Sequence, residues 1–112
     1  MRTVIAGSRS CTDLKVLLQA LETCPWTPSV VLCGLAAGAD TLGKLWARQQ
    51  RIPVEFFVPE WKRYGKAAGM LRNVAMAERA EALIALWDGR SPGTKNMIEL
   101  ATAKGLRVHL FT

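Results

Sequence analysis

The sequence predicts an α/β fold: a three-layer sandwich with helices on both faces of a five-stranded parallel sheet in the order 3-2-1-4-5. Three observations carry this reading. Short apolar blocks without strict alternation, such as Val30–Cys33 and Leu83–Trp87, have the pattern of parallel strands covered on both faces. Between them lie longer stretches in which apolar residues recur at helical spacing, giving the order βαβαβαβαβ. The connections are short, and right-handed crossovers then put the topological switch point between the first and fourth strands.

Thr3–Ala6 is the first strand, and the chain turns at Gly7-Ser8-Arg9. Arg9 sits at a strand's carboxyl end, where open α/β sheets bind ligands, so it is either an anion contact or a solvated surface arginine. Ser10 with Asp13 makes a weak capping box, and Leu14, Leu17, Leu18 and Leu21 follow at helical spacing. Pro25 and Pro28 break the chain around Trp26, and Val30–Cys33 gives the second strand. The small-residue turn Gly34–Asp40 leads into a helix with the apolar face Leu42, Leu45 and Trp46. Asp40 either caps that helix or accepts hydrogen bonds from a ribose or base. Pro53–Val58 is the third strand, and its leading proline suits a sheet edge.

Pro59–Asn73 is the least generic segment. Lys62, Arg63, Lys66 and Arg72 alternate with Trp61, Tyr64 and two glycines, which combines charge for phosphate, a stacking surface and room for close backbone approach. The alternative is a solvated basic loop. Met70, Leu71 and Val74, with Ala67 and Ala75, are expected to form the buried side of the next helix. Leu83–Trp87 is the fourth strand, stopped by Asp88 and Gly89. Ser91 and Pro92 mark a helix start, serine as the cap and proline at the first helical position. Gly93 leaves room for a ligand to reach backbone N–H groups at the positive end of that helix. Met97, Ile98 and Ala101 line its apolar side, and Lys104-Gly105 ends it. Leu106–Phe111 closes the sheet, with His109 a structural strand residue.

Composition narrows the classes. A chain of 112 residues, half of them hydrophobic, is expected to form one domain spanning 1–112. Its apolar runs fall far short of the roughly 20 residues that cross a bilayer, and its start lacks the apolar stretch of a secretory signal, so a cytoplasmic protein is expected. Cys11, Cys24 and Cys33 have no metal-ligand spacing and His109 is the single histidine, so no metal site is expected and the thiols read as reduced. No G-x-G-x-x-G fingerprint or phosphate-loop motif occurs, which disfavours dehydrogenases and Walker-type nucleotidases, and no cofactor is expected. A net charge of +6 favours an anionic partner: nucleotide, nucleic acid or anionic surface.

The turns after strands 1, 2 and 4 meet at one edge of the predicted sheet. The segments VIAGSR (Val4–Arg9), GLAAGAD (Gly34–Asp40), WKRYGKAAGMLRN (Trp61–Asn73) and ALWDGRSPGTKNMIELA (Ala85–Ala101) resemble the YspA-like branch of the SLOG superfamily over nearly the whole chain. That branch is similar to Rossmann-like relatives of the LOG phosphoribohydrolases and of DprA. The resemblance implies binding of nucleotides or nucleotide-derived ligands, as in sensors of bacterial conflict or stress systems and in phage genomes. Gly7, Ser8 and Arg9 match the family's first loop; Gly34, Gly38, Ala39 and Asp40 match most of its second, where Leu35 and Ala37 replace a glycine and an arginine. Tyr64, Gly65, Lys66, Gly69, Arg72 and Asn73 match the third motif, and Trp87, Asp88, Gly89, Ser91, Gly93 and Thr94 the fourth. Together with Lys62 from the basic segment, these loops supply the expected ligand-binding residues.

The main expectation is a nucleotide-binding module: phosphate on backbone N–H groups near Ser91–Thr94 and Gly34–Ala39, charge from Arg9 and Arg72, and base or ribose near Trp61, Tyr64 and Asp88. An alternative is hydrolysis of the N-glycosidic bond of nucleoside monophosphates, which in LOG enzymes uses a glutamate three positions after the Gly-Thr pair. Here Glu99 follows Thr94 by five positions, a shift that turns the side chain by about 200 degrees on a helix. No catalytic residue is therefore assigned. A third class is a single-stranded nucleic-acid platform built on the basic and aromatic residues. A fourth is self-association through an exposed apolar face, with Trp26 and Trp46 as candidates for core or interface.

Overall fold

Five short apolar strands can bury both their faces only if helices cover each side, and the computed structural model has that arrangement. It describes residues 1–8, 12–34 and 39–111, with no statement on the side chain of Asp40. The elements run β1 (Arg2–Gly7), α1 (Leu14–Thr23), β2 (Val30–Gly34), α2 (Ala39–Gln49), β3 (Val54–Phe57), the one-turn α3 (Trp61–Tyr64), a 3-10 turn (Gly65–Ala67), α4 (Ala68–Arg79), β4 (Ala82–Leu86), α5 (Pro92–Ala103) and β5 (Arg107–Phe111). All strand pairs are parallel and the order is β3-β2-β1-β4-β5. The predicted sheet and its order are thus those observed.

Alternation along each strand divides the core in two. Val4 and Ala6 of β1, Leu32 of β2, and Leu83 and Ala85 of β4 face α4 and α5, where Met76, Ala77, Ala80, Met97 and Ala101 meet them. Ile5, Val31, Ile84 and Leu86 face α1 and α2, against Leu17, Ala20, Ala39 and Ala47. Helix α2 comes close because Gly43 has no side chain: a Cβ there would lie 2.9 Å from Ile5 Cγ2. Trp26 and Trp46 are half-buried against this second cluster, so both belong to the core margin. The Trp26 Nε1–H donates to Thr3 Oγ1 at 3.1 Å, and His109 meets the indole edge-on while its Nε2 lies 3.0 Å from Thr23 Oγ1. His109 therefore has the structural role expected of it.

Three sequence expectations are corrected. In α4 the buried residues are Ala68, Asn73, Met76 and Ala77, whereas Met70 is 60% exposed, Leu71 43% exposed and Ala67 fully on the surface; only Val74 and Ala75 are half-buried. The helix is phased by small residues that let its backbone lie near the sheet, and by the hydrogen bonds of Asn73, which outweigh the larger side chains. In α1 and α2, Leu14, Leu18 and Leu45 likewise point outward. The cap of α1 is Asp13, whose carboxylate accepts from the Lys15 N–H at 2.9 Å; Ser10 lies outside the described residues.

At the opposite edge, Arg2 ties distant segments together. Its guanidinium pairs with Glu55 of β3 across the intervening β2, and its Nε–H donates to the Arg79 carbonyl at 2.8 Å. The Glu81 carboxylate accepts the Arg2 backbone N–H at 2.9 Å. Leu83, fully buried in the centre of β4, tests the packing: Leu83→Ala should cost about 2–5 kcal/mol of unfolding free energy, read by urea denaturation.

Candidate functional site

The site begins where β1 and β4 end side by side. Gly7 pairs in register with Leu86, and a Cβ on Gly7 would fall 2.4 Å from the Leu86 carbonyl oxygen and 2.6 Å from Ala39 Cβ. No side chain fits between the Gly7 backbone, the Leu86 carbonyl and the Ala39 methyl group. Beyond Gly7 the Ser8 N–H continues the ladder to Leu86 O at 3.0 Å, and the buried Ser8 hydroxyl accepts the Asp88 N–H at 3.0 Å. Ser8, expected at the ligand, thus joins the ends of the two central strands. Gly34 closes β2, buried and paired with Phe57, and Ala39 opens α2 against Gly7. Arg9, Leu35, Ala37, Gly38 and the Asp40 side chain fall outside the described residues.

The loop after β4 is held from within. Asp88 Oδ1 accepts the N–H groups of Arg90 and Ser91, both at 2.8 Å, and Oδ2 accepts the Ser91 hydroxyl at 3.1 Å. The Trp87 Nε1–H donates to Ser91 O at 3.1 Å and its backbone N–H to Phe111 O at 3.2 Å. Gly89 takes the left-handed conformation, φ 81°, that this tight loop needs. The Ser91 and Arg90 N–H groups lower the Asp88 pKa from 3.8 to about 2; desolvation opposes them, and the Ser91 and Ser8 hydroxyls add smaller lowering effects.

This geometry corrects the expectation of a serine cap. Ser91 occupies the N-cap position of α5, but its side chain makes no capping bond to the helix and turns back to Asp88. The Asp88 carboxylate, expected near a ribose or base, is engaged by the loop itself. Pro92 contributes no N–H and the Ser91 N–H is taken, so the orphan donors of the first turn are the N–H groups of Gly93 and Thr94. Thr94 is buried, while the space around Gly93 is open, with nothing among the described residues within 4 Å of where its Cβ would stand.

Helix α4 lies beside this turn. The buried Asn73 amide donates to Gly93 O at 3.3 Å and to Asn96 Oδ1 at 3.0 Å, while its oxygen accepts the Arg72 Nε–H at 3.0 Å. Asn73, Arg72, Gly93 and Thr94 are therefore brought together, with Asp88, Gly89 and Ser91 in the adjoining loop and Ser8 bonded to that loop from the end of β1. Asn96 was not singled out in the sequence, and a polar residue three positions after Gly93 was its one signal.

Lys62, Tyr64, Gly65 and Lys66 form a separate group on α3 and the 3-10 turn, all exposed. Among the described residues their side chains make no hydrogen bond or ion pair with the Asp88 loop or α5. Tyr64 carries the Arg63 guanidinium 5.1 Å from its ring centre. Trp61, 56% exposed, rests its ring edge 3.7 Å from the Cβ position of Gly69. Gly65 has φ 55° at the junction. Glu99 lies exposed on α5.

The sequence model of the YspA, cpYpsA-related SLOG family matches residues 1–64. The chain belongs to that family. It is 35% identical to the gene 61 protein of Mycobacterium phage D29 over 116 aligned positions, covering 96% of this chain and 93% of the phage protein. Among solved structures it is similar to DNA processing protein A (DprA) from Streptococcus pneumoniae, with a TM-score of 0.73 and 22% identity over 96% of this chain and 48% of that one. The SLOG chain thus spans about half the length of that protein and shares its fold over that half. Among the described residues no helix is long and apolar enough to cross a membrane.

Two predictions follow from this geometry. Gly7→Ala should lose about 3 kcal/mol of stability, measured by urea unfolding, because the contacts to be relieved are backbone and core rather than flexible side-chain ends. Because the folded Asp88 pKa lies below its unfolded value, its contribution to loop stability is present above 3.8 and is lost as pH falls towards about 2. The Arg90 and Ser91 amide signals should titrate with a midpoint near about 2 in NMR spectra, and Asp88→Asn should abolish that transition.

Proposed function

We propose that this SLOG chain is a cytoplasmic module that binds a nucleotide or nucleotide-derived ligand at the carboxyl edge of its sheet. The observation that carries the reading is the first turn of α5: among the described residues its Gly93 and Thr94 N–H groups lack a side-chain cap, open space lies over Gly93, and the Asp88 loop is hydrogen-bonded beneath the turn. Such a turn suits a phosphate, which gains both the N–H groups and the positive end of the helix. Arg72 supplies charge from α4. Gly34, Gly38, Ala39, Asp40 and Arg9 complete the phosphate side in this reading, while Trp61 and Tyr64, with Lys62, Gly65 and Lys66, offer a stacking and charged surface for base and ribose. Asp88 acts through the turn it shapes. Family membership and the shared fold support a nucleotide-related role.

The geometry favours binding over hydrolysis. Glu99 is exposed on α5, and Asp88 is an ionised acceptor already occupied by backbone N–H groups, a poor general acid at neutral pH. A second reading, single-stranded nucleic acid, draws on one observation: Trp61 and Tyr64 lie exposed among Lys62, Arg63 and Lys66, and base stacking with phosphate contacts uses that mixture.

The test is mass spectrometry of the purified protein after incubation with a mixed nucleotide panel, recording ligand retained and free base released. One intact nucleotide should be retained. Arg72→Ala and Gly93→Val should each weaken retention about tenfold or more with the fold intact by circular dichroism. Unchanged affinity in both variants overturns the proposal, release of base makes the chain a hydrolase, and salt-sensitive binding over several nucleotides moves it to nucleic acid.

A further inference from the structure

Resting on the nucleotide reading above, we infer that Asn73 is a positioning residue that aims Arg72 at the bound phosphate while leaving its charge uncancelled. Asn73 is only 6% exposed, and a buried amide must find partners for its polar atoms. It does so entirely within the protein. Both of its N–H donors go to α5, to Gly93 O and Asn96 Oδ1, and its oxygen takes the Arg72 Nε–H. Asn73 matches a family motif and was expected at the ligand, but its two donors are already used.

The consequence lies in Arg72. A guanidinium is planar, so holding the Nε–H direction fixes the plane in which its four remaining N–H groups point. The same amide that fixes this plane is bonded to the carbonyl of Gly93, so the guanidinium and the orphan N–H groups of Gly93 and Thr94 are registered to one another through a single side chain. Arg72 is half-buried and forms no ion pair among the described residues. A carboxylate at position 73 would hold the same Nε–H more tightly but would neutralise the cation, whereas a neutral amide orients it without that loss. Because the fork offers parallel N–H groups, the matching ligand end is a terminal phosphate with two free oxygens.

The experiment combines nitrogen–proton NMR of arginine Nε–H groups at mildly acidic pH with titration of inorganic phosphate and AMP. It compares wild type, Arg72→Ala, Asn73→Ala, Asn73→Asp and the double variant Arg72→Ala/Asn73→Ala. In the wild type one slowly exchanging Nε–H should disappear in Arg72→Ala, which assigns it. In Asn73→Ala it should exchange fast under a native backbone spectrum, and AMP affinity should fall about tenfold, the effect of one hydrogen bond to a charged group. Adding Arg72→Ala should then cost little more, since the two residues act as one unit. Asn73→Asp keeps an acceptor for the Arg72 Nε–H but gives up both donors to α5; under a native backbone spectrum it should retain the slow Nε–H yet lose phosphate and AMP binding as Arg72→Ala does, and binding retained there overturns the inference.

Fast exchange of the Arg72 Nε–H in the wild type overturns the inference, as do additive effects of the two alanine variants on affinity. Should Asn73→Ala fail to fold, the wild-type exchange rate and Asn73→Asp decide. Failure of the nucleotide reading looks different: wild type binds neither AMP nor phosphate, and a protected Nε–H that depends on Asn73 then upholds the orienting contact while removing the ligand assigned to it.

Discussion

The contact on which the rest of the molecule depends is the passage of β1 beside β4 at Gly7. With the Leu86 carbonyl and Ala39 pressed against that α-carbon, three chain segments far apart in sequence reach the same edge within a side chain's width. Parallel strands leave their carboxyl ends together, and the crossovers lead away to opposite faces at this point. The Ser8 hydroxyl, buried between the two strand ends, passes the alignment on to the Asp88 N–H. From there the loop, the start of α5 and the neighbouring α4 are placed in turn.

Around that junction the polar groups divide into those consumed by the protein and those left over. Asp88, Ser91, Trp87 and Asn73 all spend hydrogen bonds on loop and helix backbone. Among the described residues, what remains is the pair of N–H groups on Gly93 and Thr94 and the fork of Arg72. The acidic group of the turn is bonded to the turn itself, so its charge is spent on the loop's own N–H groups. Charge on the chain as a whole is positive by six, which attracts anions at longer range.

The sheet was legible in the sequence because each strand is a short unbroken apolar block and each crossover is too short for other topologies. Strand limits moved by only a residue or so, as Pro53–Val58 became Val54–Phe57. Helix phase was less legible. Met70 and Leu71 looked like core on hydrophobicity alone, but Ala68, Met76 and Ala77 decide the phase, since close approach to a sheet rewards small side chains that a hydrophobic pattern undervalues. The loops could be located but not wired. Nothing local to Ser91 says that its hydroxyl turns back to Asp88, and nothing local to Asn73 names Gly93 as its partner twenty residues on. Such bonds exist only once two elements have packed, and so they are invisible to spacing or propensity.

The open space above Gly93 has a consequence of another kind. The turn is braced from below by Trp87 and Asp88, and its upper side carries no side chain that the fold requires. The atoms that hold the turn are thereby different from those that border its open side. A larger side chain at position 93 would therefore fill that space without displacing the hydrogen bonds beneath it.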